Sequence, residues 1–410
     1  MESKKMATVN GSSGEFLEVE VSIDHLDLEG NGVGVFGGRP VAIPFVLPGE
    51  RIRGKIYRRE RDLDRGEPVE ILEPSRERIV PPCPYFGRCG GCQYQHMAYG
   101  RQLELKRDHI AGLFSALPRG LPPVAIPIPS PKIYHYRTKL TPHHGRIRGG
   151  GDEPIGFLEA TRHRICDIDR CPIAVESIGD ALAECRRKIR ATPTKRGGTA
   201  LLRRTETGVT GDHRALVAET VSGKKFHFLA GDFFQNNGSI LPDFVRHVVE
   251  SAAGSPAEYL VDAYCGVGLF SLSAAHLFRA VAGIEISGES VRLAGLNASL
   301  QGVANAEFFT GSAENIFAAI AFPPEKTTVL LDPPRVGCGG NFLDQLLRFG
   351  PSRIVYVSCG PRAQVRELEK LLAHYAAVTI QPIDLFPQTR HIENVVVLER
   401  RNLSGVPGAP

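Results

Sequence analysis

Asp262-Ala263-Tyr264-Cys265-Gly266-Val267-Gly268-Leu269-Phe270 is the stretch on which the fold turns. The apolar run Tyr259–Ala263 has the length of a buried strand. Two glycines one residue apart then let the backbone turn sharply and come close to a ligand before a helix begins. The same rhythm continues downstream. Ala280–Ile286, Ala306–Thr310, Thr328–Leu331, Arg353–Ser358, Ala377–Pro382 and Val395–Glu399 read as strands, and helical stretches such as Ser287–Gln301 and Pro361–His374 lie between several of them. Such alternation predicts a doubly wound α/β sheet of Rossmann type over residues 231–410.

Upstream the texture differs. Between residues 16 and 73, Phe16–Ile23 and Arg51–Tyr57 alternate, Val41–Val46 is apolar, and Gly30–Gly34 supplies a turn. Short strands at that spacing predict a small β-barrel. Residues 74–230 carry a cysteine cluster among prolines, a helix at about 98–117 expected to pack on the catalytic domain, a Pro-rich crossing at 118–131 and β-like segments at Ile155–Leu158, Thr199–Arg204 and Ala215–Thr220. They form an α+β central domain. Residues 1–15 are polar and read as a loose tail. The chain is multidomain, as its 410 residues would suggest.

A content of 42% hydrophobic and 23% charged residues is ordinary for a globular protein and excludes a disordered chain. No apolar run reaches the ~18 residues of a membrane span, and the polar start is neither signal nor anchor, so a cytoplasmic location is expected. A net charge of +4 does not announce a nucleic-acid binder, but its distribution is uneven. Arg186, Arg187, Lys188, Arg190, Lys195, Arg196, Arg203 and Arg204 fall in a stretch without acidic residues. Arg51, Arg53, Lys55, Arg58, Arg59, Arg61 and Arg65 form a second cluster diluted by Glu60, Asp62 and Asp64. Either cluster reads as a phosphate-binding patch or as a solvated face.

The chemistry is carried by four positions. Glu285 closes the second strand of the sheet, 23 residues after Asp262, where a carboxylate holds ribose hydroxyls in dinucleotide folds. The third glycine of the dinucleotide pattern is replaced by Ser271, which favours S-adenosylmethionine, also a riboside, over NAD. Leu331-Asp332-Pro333-Pro334-Arg335 ends the fourth strand and sets a carboxylate at the ligand-binding edge. Arg335 stands where amine methylases carry a base-stacking aromatic residue. Val355-Tyr356-Val357-Ser358-Cys359 brings a thiol to the same edge. A thiolate there can add to carbon 6 of uracil and so activate carbon 5 toward an electrophilic methyl, and Glu393 is the candidate base for the carbon-5 proton. Taken singly, Cys359 reads as a core cysteine and Glu393 as a surface charge.

Asp-x-Tyr-Cys-Gly-x-Gly (262–268), Leu-Asp-Pro-Pro-Arg-x-Gly (331–337), Tyr-Val-Ser-Cys (356–359) and Asp-Leu-Phe-Pro-x-Thr-x-His-Ile-Glu (384–393) together resemble the RNA uracil-5-methyltransferase family. Asp232-Phe233-Phe234-Gln235-Asn236-Asn237 resembles its Phe-x-Gln-x-Asn motif. The resemblance covers nearly the whole chain. It implies that Gln235, Tyr264, Glu285 and Asp332, with the Gly266 turn, contact the cofactor or the target base, that Cys359 is the nucleophile, and that Glu393 is the base. Two positions depart from the pattern: Gly360 replaces the usual Asn after the nucleophile, and Asn236 replaces an apolar residue.

Cys83-x5-Cys89-Gly-Gly-Cys92 is compact enough for one metal centre, with Cys171 as the best fourth ligand and Cys166 as its rival. Four thiolates suit zinc or an iron–sulfur cluster, and spacing does not choose. The resemblance implies a [4Fe-4S] cluster, with Cys171 in the last position. Residues 16–73 resemble a TRAM domain, an OB-like RNA-binding barrel. Barrel and cysteines together favour 23S ribosomal RNA over transfer RNA as substrate. Rival readings are a non-catalytic RNA-binding or ribosome assembly factor, a radical methylthiotransferase, which needs Cys-x3-Cys-x2-Cys, and a cytosine-5 methyltransferase, which needs a second cysteine directly after Pro near Asp332.

Overall fold

A computed structural model describes residues 17–148, 153–254 and 257–401. The expected tail at 1–15 lies outside these residues. The described chain divides into two compact units, one running to Ala98 and including Glu159–Arg164, the other made of Tyr99–Leu158 and the residues from Ile165 onward.

In the first unit, strands β1 (Leu17–Leu26), β2 (Asn31–Phe36), β3 (Arg39–Pro44), β4 (Arg51–Arg59) and β5 (Asp64–Glu73) close into a barrel of order β1-β2-β3-β5-β4. Alternation does the work: Val19, Val21, Ile23, Val41, Ile43, Ile52 and Ile56 point inward and form the core. Gly34 has to be glycine, because a Cβ there would lie 2.0 Å from the Ser22 carbonyl oxygen of the neighbouring strand. The outward basic residues of β4 stand at the surface among acidic neighbours. Arg51 pairs with Glu20 and Glu73, Arg53 with Glu70, and Lys55 with Glu18, a ladder of cross-strand ion pairs.

The second unit is built on a seven-stranded sheet: β6 (Tyr259–Ala263), β7 (Ala280–Glu285), β8 (Ala306–Thr310), β9 (Thr327–Leu331), β10 (Arg353–Ser358), β11 (Tyr375–Ile383) and β12 (Glu393–Arg400). Its order is β8-β7-β6-β9-β10-β12-β11. The order reverses between β6 and β9, which opens a crevice at the carboxyl edge. All neighbours pair in parallel except β12, which runs antiparallel to both β10 and β11. The central strands are buried on both faces, which is why β9 and β10 read as apolar runs rather than alternations.

Helix α1 (Tyr99–Phe114) packs against β11 and against a helix over Pro361–Leu371. Ile110 and Phe114 join the core of the sheet. The Pro-rich segment after α1 runs along the free edge of β11: Ala125 N–H donates to the Ile380 carbonyl at 3.0 Å, and Ile128 N–H to that of Pro382 at 3.0 Å. Proline, which lacks a donor, is tolerated on such an edge, so this segment covers an otherwise exposed strand.

The second basic cluster is split: Arg187, Lys188, Lys195 and Arg196 are exposed, whereas Arg186 and Arg203 are buried. Arg186, buried, bonds Asp167 and the carbonyls of Ile155 and Ile168. Arg203 is 1% exposed and lies over the Phe228 ring at 4.9 Å, and burial pushes its guanidinium down to about 10. These arginines hold the α+β region together. Among the described residues no helix is long and apolar enough to cross a membrane.

The ion pair between Lys106 and Asp384, 2.7 Å apart with side chains 1% and 0% exposed, fastens α1 to the segment that follows β11. Lys106 Nζ also donates to the Phe386 carbonyl at 3.2 Å. Removing one partner of a buried pair strands the other charge, so Lys106→Ala is expected to destabilise this unit by about 3–5 kcal/mol. Denaturant unfolding followed by fluorescence checks this, and Lys106→Ala/Asp384→Ala should recover part of the loss.

Candidate active site

The carboxyl edge gathers the residues singled out in the sequence. Tyr264, Cys265 and Gly266 leave β6, Glu285 ends β7, Asp332 follows β9 and Cys359 follows β10. Because β12 is antiparallel, its first residue, Glu393, lies at the same edge: Ser358 pairs with Asn394, so Cys359 and Glu393 flank the last rung of that ladder.

The turn after β6 is strained as the sequence implied. Tyr264 has φ 109°, Gly266 53° and Gly268 87°. Asp262 is fully buried. Ser271, in the place of the missing third glycine, donates its N–H (3.2 Å) and its hydroxyl to one carboxyl oxygen of Asp262, while the other, Oδ1, has no hydrogen-bond partner. Glu285 receives the N–H groups of Gly266 (3.3 Å) and Ser287 (3.0 Å), which fixes its carboxylate at the mouth of the turn. Tyr264 donates its hydroxyl to the Cys338 carbonyl at 3.4 Å and sets its ring edge-on to Phe342. An orphaned acceptor, a fixed carboxylate and a backbone free of side-chain bulk suit a ligand with hydroxyl and ammonium donors, as S-adenosylmethionine has.

The loop after β9 is anchored by Glu367, a residue the sequence reading did not single out. Its carboxylate receives Cys338 N–H at 2.7 Å and the Tyr356 hydroxyl at 2.5 Å, and a Cβ at Gly337 would sit 2.0 Å from it. No spacing rule marks such an anchor. Gly360, the departure after Cys359, has its explanation here: a Cβ at that position would lie 2.5 Å from the Arg335 carbonyl oxygen. The missing side chain lets the Asp332–Arg335 loop lie against the Cys359 turn. Asn236, the other departure, accepts from Arg203 Nη1 at 3.1 Å. Asn237 donates to Ser130 Oγ and to the Leu385 carbonyl, both at 3.0 Å, and so ties the loop carrying the buried Gln235 to the segment before Glu393.

Electrostatically the site is a crowd of acids out of water. Burial, then Glu393 and Asp332, push the Cys359 thiol up to about 11, and Arg335 opposes them by charge and hydrogen bond. Burial and the neighbouring Asp262 push Asp332 up to about 7. Burial and Asp332 hold Glu393 well above the usual carboxyl range. Cys359 lies two residues before the helix Pro361–Leu371, whose N-terminal N–H groups favour an anion.

The metal expectation is not supported. Among the described residues no three His, Cys, Asp or Glu side chains are grouped to hold a metal ion, whereas four thiolates would have to converge within about 2.3 Å of one. Cys83, Cys89 and Cys92 belong to the first compact unit, and Cys166 and Cys171 to the second.

The fold and this edge define a Rossmann-like methyltransferase. The family model described as tRNA (Uracil-5-)-methyltransferase matches residues 212–401. The tRNA (uracil(54)-C(5))-methyltransferase of Schizosaccharomyces pombe is 40% identical over 94% of this chain and 79% of its own length. The enzyme of the same name from Saccharomyces cerevisiae is 33% identical over 94% and 73%. The Pyrococcus abyssi tRNA (uracil-54, C5)-methyltransferase, solved with S-adenosyl-L-homocysteine, shares the fold at a TM-score of 0.72 and 24% identity, over 93% of this chain and 100% of that one. The chain belongs to the S-adenosylmethionine-dependent RNA uracil-C5-methyltransferase family. The preference for ribosomal RNA is not supported: the yeast relatives are named for transfer RNA, and their alignment spans nearly all of this chain, including the segments taken as ribosomal marks.

If Gly360 is what lets the two loops meet, Gly360→Ala is expected to lower single-turnover methylation by about ten- to a hundredfold by misplacing Arg335. Affinity for S-adenosylhomocysteine, measured by calorimetry, should stay near that of the parent protein.

Proposed function

We propose that the chain methylates carbon 5 of a uridine in transfer RNA, uridine 54 by analogy with its relatives, with Cys359 as nucleophile and Glu393 as base. The observation that carries this reading is the meeting of Cys359 and Glu393 at the ends of two antiparallel neighbours, beside Asp332 and Arg335.

S-adenosylmethionine, held by Glu285, Asp262 and the Gly266 turn, with Gln235, Tyr264 and Asp332 toward the cofactor or the base, supplies an electrophilic methyl group when bound. The Cys359 thiolate adds to carbon 6 of uracil, and the ring becomes an enolate. Carbon 5 takes the methyl. Glu393 then removes the carbon-5 proton, the carbon–sulfur bond breaks, and the thiolate leaves. Ionisation of Cys359 is easiest while Glu393 and Asp332 are neutral. Arg335 contributes the opposing charge beside the thiol. Once Cys359 is a neutral thioether, Glu393 no longer faces a thiolate; it gives up its own proton to solvent, and the resulting carboxylate, whose proton affinity burial and Asp332 raise, takes the proton from carbon 5. We assign RNA docking to the barrel at 16–73, read as a TRAM domain, and methyl transfer to 231–410, with 74–230 as the central domain between them.

Wild-type protein is expected to form a denaturant-stable complex with 5-fluorouridine-substituted transfer RNA, and Cys359→Ala to form none. Gel electrophoresis decides this, and an adduct that survives in Cys359→Ala refutes the nucleophile. Glu393→Gln should accumulate adduct on ordinary transfer RNA while turnover drops about 10²–10⁴-fold, the usual share of a general base.

Tritium-labelled cofactor should mark unmodified transfer RNA at uridine 54. Labelling confined to ribosomal RNA would overturn the substrate.

A further inference from the structure

Arg335 is exposed, and nothing about a long exposed guanidinium fixes it beside a thiol. Yet its Nη2 lies 3.4 Å from Nδ1 of His391, two residues before Glu393. An arginine only donates, so this contact requires the imidazole to be neutral with Nδ1 as acceptor. The imidazole is itself held. The Phe386 ring meets it edge-on at 6.0 Å, and the backbone N–H of His391 donates to Thr389 Oγ1 at 3.2 Å, whose hydroxyl in turn donates to the Phe386 carbonyl at 2.8 Å. From the other side, Gly360 admits the Arg335 backbone.

We propose that His391 is a positioning residue for the methyl transfer, stationing the Arg335 guanidinium beside the Cys359 sulfur and so favouring the thiolate. The charged groups that face Cys359 are Glu393 on β12 and Asp332 and Arg335 on the loop after β9. Two of the three oppose ionisation, so the thiol depends on where the third sits. Those that face His391 are Arg335, Arg390, Lys106 and Arg137, all cationic. They and burial push the imidazole down to about 3, so the acceptor is present throughout the working range and does not switch with pH. The role is constitutive alignment. The inference rests on reading Cys359 as the nucleophile, but its test needs neither RNA nor cofactor.

The test is the pH profile of iodoacetamide alkylation of Cys359 in the full chain, read from its own peptide by mass spectrometry because the chain has nine cysteines. Below the thiol pKa the rate follows the thiolate fraction, about tenfold per pH unit. In His391→Ala the profile should shift to higher pH, with alkylation at pH 8 falling about three- to tenfold. Arg335→Ala should do the same, and the double variant should fall no further than Arg335→Ala alone. His391→Asn, which keeps an acceptor close to Nδ1, should follow the wild type. A His391→Ala profile that superimposes on wild type, or losses that add in the double variant, overturns the proposal. If circular dichroism shows His391→Ala unfolded, His391→Leu, which packs on Phe386 without an acceptor, carries the same expectation. Full methylation by Cys359→Ala would sink the nucleophile instead, and leaves the alkylation result to stand or fall by itself.

Discussion

One antiparallel strand in an otherwise parallel sheet is the constraint on which the site depends. In a parallel doubly wound sheet every strand brings its last residue to the ligand edge. The strand Glu393–Arg400 brings its first residue there, because it runs against both neighbours. Its register on Arg353–Ser358 is fixed by a face that is buried almost throughout, and a slip of one residue would turn Glu393 to the opposite face. The juxtaposition of a carboxyl and a thiol is therefore held by the packing of the sheet rather than by a loop.

Such packing brings groups that resist ionisation into one place. Cys359, Asp332 and Glu393 are all pushed toward their neutral forms by burial and by neighbouring acids. An anionic transition is made accessible by what the surroundings add: a helix N-terminus after Cys359 and one guanidinium. The segment 384–392 connects these parts. It is tied to the helix Tyr99–Phe114 by Lys106–Asp384 and by a pair of hydrogen bonds, Gln102 Nε2 to Gln388 Oε1 and Gln388 N–H to Gln102 Oε1, each 3.0 Å. Gln388 sits at φ 69°, a conformation that a side chain tolerates only when its surroundings insist. A helix that precedes the sheet by more than a hundred residues thus restrains the segment that leads to Glu393.

What was legible in the sequence follows from period and burial. The seven strands of the sheet could be read because their apolar runs are interrupted by glycine, proline and charge, and the placing of Cys359 and Glu393 at one edge could be read because their motifs sit at strand ends. Charge clusters were ambiguous. Arg186 to Arg204 read equally as a phosphate-binding patch or a solvated face, and the structure divides them: Arg187, Lys188, Lys195 and Arg196 are exposed, whereas Arg186 and Arg203 are buried and bonded to carbonyls, to a carboxylate or amide, and, for Arg203, to a ring. Linear spacing carries no information on which face an arginine takes when strands and helices cross irregularly. Cysteine spacing is limited for a related reason, since it places side chains along the chain and leaves their convergence to the tertiary fold.

The two departures from the family pattern are the most informative residues, and neither is a defect. Asn236 replaces an apolar side chain where a buried guanidinium needs an acceptor, and its amide oxygen supplies one. Gly360 removes a side chain where a carbonyl comes to 2.5 Å of the absent Cβ. In both cases the substitution answers an arginine, Arg203 in the first and Arg335 in the second. An arginine brought near a catalytic edge demands either an acceptor or room, and this chain provides one of each. Local identity at 236 and 360 is therefore set by where two guanidinium-bearing segments run, a dependence that single-residue comparison with relatives would record only as divergence.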